Sequence, residues 1–233
     1  KNRRTTNKNT IIANGYNLLK IDKVDNQPIS GSIQKKIKDI ILKEKADIVI
    51  FSDFRHGIFN KSSIPILTSS IKRGIFKVAD SQVATRWGNI TDFKNFDLIT
   101  PNEKEARFSL ADQDSNISGL TQQLDKKINY KNLILKLGER GIFGQGKSNP
   151  NGFALPSFTK KIIDAVGAGD ALLAYSSLAL RATKSVLISS ILGSLAASCE
   201  CEKDGNIVID PSEINEKIKK LEESVNYSVT SKI

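Results

Sequence analysis

What most constrains the fold of this chain is an alternation of short, β-branched apolar runs with longer segments of helical period. Residues 47–51 (DIVIF), 97–100 (DLIT) and 133–137 (LILKL) are too short for helices and nearly continuous in apolar character. Such runs predict strands buried on both faces of a parallel sheet. Between them, residues 32–45 place Ile33, Ile37, Ile40 and Ile41 at helical spacing with lysines on the opposite face. Further helices are expected over 62–73, 118–128, 168–182 and 184–199, and further strands over 74–79, 141–143 and 153–155. Near the front, 11–13 and 18–22 flank an Asn-Gly turn and read as strand, turn, strand. The pattern predicts an α/β fold with a doubly wound, mainly parallel sheet, helices on both faces and a small β element within residues 1–25. One domain over 1–224 and a loosely held tail over 225–233 complete the expected layout.

In a sheet of this kind ligands bind beyond the carboxyl ends of the strands, where the strands change direction across the sheet. Asp53, Asp80, Asn102 and Gly138 fall at those ends. Composition narrows the ligand. The 35 Lys and Arg exceed the 25 Asp and Glu, and eleven basic against four acidic residues lie in the first 45, a balance that suits anionic partners. Only 6% of residues are aromatic and the lysines are scattered, so the stacking platform of a nucleic-acid module is missing and no nucleic-acid partner is expected. No apolar run approaches the roughly 20 residues of a membrane span. Two cysteines, Cys199 and Cys201, and a single histidine give neither a disulfide framework nor a zinc set. A reducing cytoplasm is the expected location.

The segment that carries chemistry is 164–170, DAVGAGD, where a short apolar strand meets a glycine turn and then an alanine- and leucine-rich helix. Gly167 and Gly169 let the backbone approach a ligand closely. The free N–H groups and dipole of the helix start then face an anion. Asp170, in the first helical turn, is placed to accept a proton from an attacking hydroxyl. The same residues also describe an ordinary capped helix. Gly141–Ser148 (GIFGQGKS) satisfies the P-loop pattern, yet residues 149–152 (NPNG) read as a turn that denies Lys147-Ser148 the helix a P-loop requires.

These residues resemble the ribokinase-like, or PfkB, carbohydrate kinases, whose signature Asp-Thr-x-Gly-Ala-Gly-Asp stands here with Ala165 in place of Thr. The resemblance implies Asp170 as catalytic base and Gly167, Ala168 and Gly169 as an anion hole. Asp164 and Val166 would lie beside a monovalent-cation site in members that have one, making K+ a cofactor there. Asn102-x-x-Glu105 matches the family's Asn-x-x-Glu motif and implies a pair that orders the water shell of Mg2+. It equally describes a helix start with Asn as cap. Residues 135–141 (LKLGERG) resemble the strand and turn along the nucleotide phosphates, implying Lys136, Gly138 and Gly141 as nucleotide-binding; Lys136 stands where Thr is usual.

Residues 52–57 (SDFRHG) and the opening 22 residues resemble the heptose-phosphate kinase branch, with His56 at a Lys position. The substrate residues implied are Asp53, Arg3 and Arg4, and the β element near the front becomes a lid. The expected activity is ATP-dependent phosphorylation of a sugar or sugar-phosphate hydroxyl, with a homodimer admitted. The resemblance covers the later two-thirds of a typical member, and the chain has no Met. A chain shortened at its front is therefore expected, without the family's Gly-Gly substrate motif. A nucleotide- or sugar-binding remnant is the alternative.

Overall fold

A computed structural model describes residues 3–14, 16–82 and 90–230. Strands β1 (Asn7–Ala13) and β2 (Tyr16–Lys23) form a separate antiparallel ribbon with Asn7 opposite Lys23. Helix α1 (Gly31–Lys43) follows, capped by the Ser30 hydroxyl on the Ile33 N–H. Then come β3 (Ile48–Asp53), α2 (Ser63–Thr68), β4 (Phe76–Ser81) and the two-residue β5 (Leu98–Ile99). Helices α3 (Glu103–Leu110) and α4 (Ile117–Ile128) lead to β6 (Asn132–Lys136). Strands β7 (Ile142–Gly146) and β8 (Asn149–Leu155) precede α5 (Ala168–Thr183), α6 (Val186–Cys201) and α7 (Pro211–Thr230).

The main sheet has the order β3-β4-β5-β6-β7-β8. Its first four strands are parallel and the last three form an antiparallel meander. The two-residue period of a strand divides the core. Ala79, Ile99, Leu133 and Leu135 face a cluster with α2, α3, α4 and part of α1, centred on Phe51, Phe93 and Phe96. Val78, Leu98 and Ile134 face the other way, against Leu172, Leu173 and Leu180 of α5 and Val186 of α6. Helices thus cover both faces, as the sequence pattern predicts. The Phe51 and Phe96 rings meet edge to face at 5.3 Å, which fixes the first cluster under the carboxyl end of β3.

Several local expectations change. Residues 47–51 read as buried on both faces, but β3 is the edge strand and Ile50 is 41% exposed. Residues 149–152 are not a turn. They open β8, and Lys147-Ser148 make the hairpin turn instead, with Gly152 at φ +68° absorbing the irregular register. No helix follows Lys147-Ser148, so the P-loop reading fails by a different route. Residues 225–230, expected as tail, continue α7, whose Ile214, Ile218 and Leu221 pack against α6. The sequence does carry that helix, in an Asp-Pro-Ser-Glu start where the Asp210 carboxylate accepts from the Ser212 N–H and Glu213 accepts from the Asp210 N–H. No described helix is long and apolar enough to cross a membrane.

Candidate active site

The parallel strands end in a row of polar groups: Asp53 on β3, Asp80 on β4, Thr100 after β5 and Lys136 on β6. Lys136 Nζ lies 3.1 and 3.2 Å from the two oxygens of Asp80, and the Thr100 hydroxyl donates to Asp80 at 3.2 Å. The Lys136 side chain is only 17% exposed. Burial works against its charge, but Asp80, Glu105 and Asp170 outweigh that and raise its pKa, so it is an ammonium.

Across from this pair, α5 starts at Gly167, which adopts φ +88° and gives the helix no side-chain cap. The Ala168 N–H turns back on the Ala165 carbonyl at 3.4 Å, while the Ala171 N–H closes on the Gly167 carbonyl. Gly169 and Asp170 keep backbone N–H groups without intrahelical acceptors, the arrangement that receives anions. A Cβ on Gly169 would sit 3.6 Å from Lys136 Nζ, so the ammonium lies against this helix start. Asp170 is solvent-accessible. Loss of water around its carboxylate raises its pKa, Asp80 strengthens the effect, and Lys136 and Lys8 oppose it. Lys8 comes from β1, which brings the ribbon's charge to the site.

Two cavities meet at Lys136 and Gly138. One, about 340 Å³, runs between the β6–β7 turn and α5 and α6, with Ile142, Phe158, Ile162 and Leu172 in its wall. The other, about 760 Å³, opens beside α3 and is lined by Asn102, Lys104, Arg107 and Phe108. Gly138 takes φ +64° with open space where a side chain would stand. Gly141 borders the first cavity, but its geometry answers to the fold as well. A Cβ there would collide with the Leu155 carbonyl oxygen, and its φ is +87°.

Asn102 and Glu105 form a complete capping box: Asn102 Oδ1 accepts from the Glu105 N–H at 2.8 Å, and Glu105 Oε2 accepts from the Asn102 N–H at 2.6 Å. The helix-cap reading of Asn-x-x-Glu is therefore realised, next to the charge of Lys136. Among the described residues no three His, Cys, Asp or Glu side chains converge as direct metal ligands. Carboxylates spread around an ammonium instead suit an ion that keeps its own waters, which fits Mg2+.

The expected substrate residues part company. The carboxylate of Asp53 is buried and accepts from the Arg55 N–H at 2.8 Å, from the Arg55 guanidinium and from the Ser81 hydroxyl. The Arg3 guanidinium donates to the carbonyls of Asp25, Gln27 and His56, tying the front of the chain to those loops. Arg4 is exposed. His56 Nδ1 lies 3.2 Å from the Thr6 hydroxyl, and burial, then Lys8, lower its pKa.

Behind the glycine turn, Asp164 Oδ1 accepts from the Val166 N–H at 3.0 Å. A Cβ on Gly167 would strike Glu200 Oε1, which accepts from the Ile207 N–H at 2.9 Å. Glu200 is 1% exposed, and its Oε2 has no partner. Asp80 stands at a strand's carboxyl end, where the sequence pattern expects ligand-facing polar groups, and one further member of this site, Glu200, escaped sequence reasoning. Glu200 sits in an α-helical run where nothing local marks it.

The chain is 26% identical to the bifunctional protein HldE of Trichlorobacter lovleyi over 91% of its own length and 43% of the relative's. It is 27% identical to HldE of Helicobacter pylori over 92% of its length and 46% of the relative's, so it spans about half of such relatives. Phosphofructokinase-2 from Escherichia coli in complex with potassium matches with a TM-score of 0.72 at 18% identity, covering 88% of this chain and 67% of that one. Ribokinase from Thermotoga maritima matches with a TM-score of 0.68 at 20% identity, covering 92% and 70%. The model of the pfkB family of carbohydrate kinases spans residues 2–213, and the chain belongs to that family.

Proposed function

We propose that this chain transfers the γ-phosphoryl group of ATP to a hydroxyl of a sugar or sugar phosphate, with Asp170 as the base. The observation that carries the proposal is the placement of Asp170 on the first turn of an uncapped helix whose start adjoins the Lys136 ammonium. The acceptor oxygen forms a bond to the γ-phosphorus as the bond to the β–γ bridging oxygen breaks. ADP leaves with that electron pair, and the hydroxyl proton passes to Asp170. The transition state is loose, so positioning and charge neutralisation dominate, and the base is needed late.

The N–H groups of Gly169 and Asp170 receive the phosphoryl oxygens, with Gly167 and Ala168 shaping the turn. The cavity of about 340 Å³ takes the nucleoside, flanked by Gly138 and Gly141. Asn102 and Glu105 would order the waters of a Mg2+ that neutralises phosphate charge when bound. The orphan oxygen of Glu200, against Gly167 in the turn that carries Asp164 and Val166, fits a monovalent cation such as K+. Sugar phosphates are favoured as acceptors because Arg4 and Lys8 stand at the ribbon's start, and because matched structures include a phosphofructokinase.

The test is Asp170→Asn. ATP binding measured by calorimetry should persist while transfer to a panel of sugars and sugar phosphates falls by about 10²–10⁴-fold. Turnover retained by the variant removes Asp170 as base. A wild-type chain that binds ATP yet phosphorylates nothing in the panel favours a nucleotide-binding module over an enzyme.

A further inference from the structure

We propose that Lys136 is a mobile cation of the transfer step: its ammonium is parked on Asp80 in the ligand-free chain and moves to the phosphoryl group in flight. The proposal rests on the phosphotransferase reading above and assigns that reading a charge-stabilising residue.

Four observations converge on this lysine. Among the described residues its two hydrogen-bond acceptors are both oxygens of the same carboxylate, Asp80, so one ammonium with three donors is held from one side. It borders both cavities, standing between the nucleoside cleft and the cavity beside α3. It lies against Gly169, in the turn whose N–H groups are proposed above to receive the phosphoryl oxygens. Asp80 does not lose all support when the ammonium leaves, because the Thr100 hydroxyl, just after β5, donates to it.

A lysine is a compact charge on a flexible stem, suited to exchanging one anionic partner for another within a short reach. The incoming triphosphate competes for it with one hydrogen-bonded carboxylate, Asp80, in the field of Glu105 and Asp170. As the β–γ bridge breaks, negative charge grows on the bridging and γ-phosphoryl oxygens, and a cation in a low-dielectric cleft acts most strongly on charge that develops there. No proton leaves Lys136, so the step balances with Asp170 alone as proton acceptor. An ammonium used this way should tighten binding to a mimic of the transferring group far more than binding to ADP.

The experiment compares ADP with ADP plus aluminium fluoride, a planar phosphoryl mimic, by calorimetry in the presence of Mg2+. Lys136→Met should bind ADP within about threefold of wild type and lose about 30-fold or more of the tightening that aluminium fluoride brings, whereas Lys136→Arg should keep most of it. Equal losses for both ligands would make Lys136 a ground-state contact and overturn the proposal, as would no loss for either. If Lys136→Met melts early because Asp80 is left as a lone buried charge, the Asp80→Asn/Lys136→Met pair removes that charge, and the same selective loss is expected. Wild-type protein that gains nothing from aluminium fluoride fails the phosphotransferase reading itself, and this proposal with it.

Discussion

Lys136 and Asp80, 56 residues apart in the chain, meet at 3.1 Å across the intervening strand β5, and both side chains are withdrawn from solvent. Removing one partner of such a pair leaves the other charge buried and alone, at a cost of about 3–5 kcal/mol. Asp80→Asn should lower the stability of the fold by that order in denaturant titration. Exchanging both residues for an apolar pair of similar volume should recover most of it. A single variant as stable as the parent would show that the pair opens to water.

Asp170 sets a pH dependence. Its carboxyl pKa is raised, chiefly by loss of solvation and by Asp80, and a base works only when deprotonated. Activity should therefore fall as pH drops through a value above the ordinary aspartate range of about 4. The acid limb of a kcat/KM profile reports that value, and a limb at or below 4 contradicts the assignment.

Arg3 offers a different outcome from a substrate ligand. Its guanidinium ties residues 25–27 and the His56 loop to the front of the chain. Arg3→Ala should destabilise that tie by about 1.5–3 kcal/mol, the usual worth of hydrogen bonds from a charged donor. Faster proteolysis around the ribbon, with the KM for a sugar phosphate within twofold of the parent, is expected. A raised KM with unchanged proteolysis would return Arg3 to the substrate site.

The two glycines of the β6–β7 turn should separate fold from function. At Gly141 both the backbone angle and a collision with the Leu155 carbonyl oppose any side chain, so Gly141→Ala should cost more than the roughly 1–3 kcal/mol of backbone strain alone. At Gly138 the angle is unfavourable but the space is open. Gly138→Ala should cost about 1 kcal/mol in thermal unfolding and weaken nucleotide binding by more than that loss predicts. Equal effects of the two variants on melting would count against the distinction.

Glu103 supplies an acid-sensitive contact at the rim. Burial works against its charge, but the hydrogen bond and charge of Arg107, with Arg140, lower its pKa from the ordinary 4.5. Its contribution is therefore present above pH 4.5 and is lost as pH falls through the lower folded value. Glu103→Gln should reduce stability by about 0.5 kcal/mol at pH 7, since the pair is near the surface. The difference from the parent should shrink as pH falls below 4.5 in parallel melts.

How much of this was legible follows the range of the interactions. The alternation of strand and helix, the Asn-x-x-Glu cap, the glycine turn at 164–170 and Asp170 on the first turn of α5 all arise between residues a few positions apart. A one-dimensional pattern records them because backbone hydrogen bonding and side-chain period act over that distance. The Asp-Pro-Ser-Glu start of α7 is equally local.

The amino-acid sequence by itself determined the α/β class, the strand ends where polar groups gather and the glycine turn that opens α5. Tertiary structure alone decided that Lys136 is held by Asp80, that Arg3 is a tie, that β3 lies at the sheet edge and that Glu200 sits behind Gly167. Those facts depend on strand order and on which faces of distant elements meet. Strand order is set by packing the whole core, so no local pattern of residues encodes it.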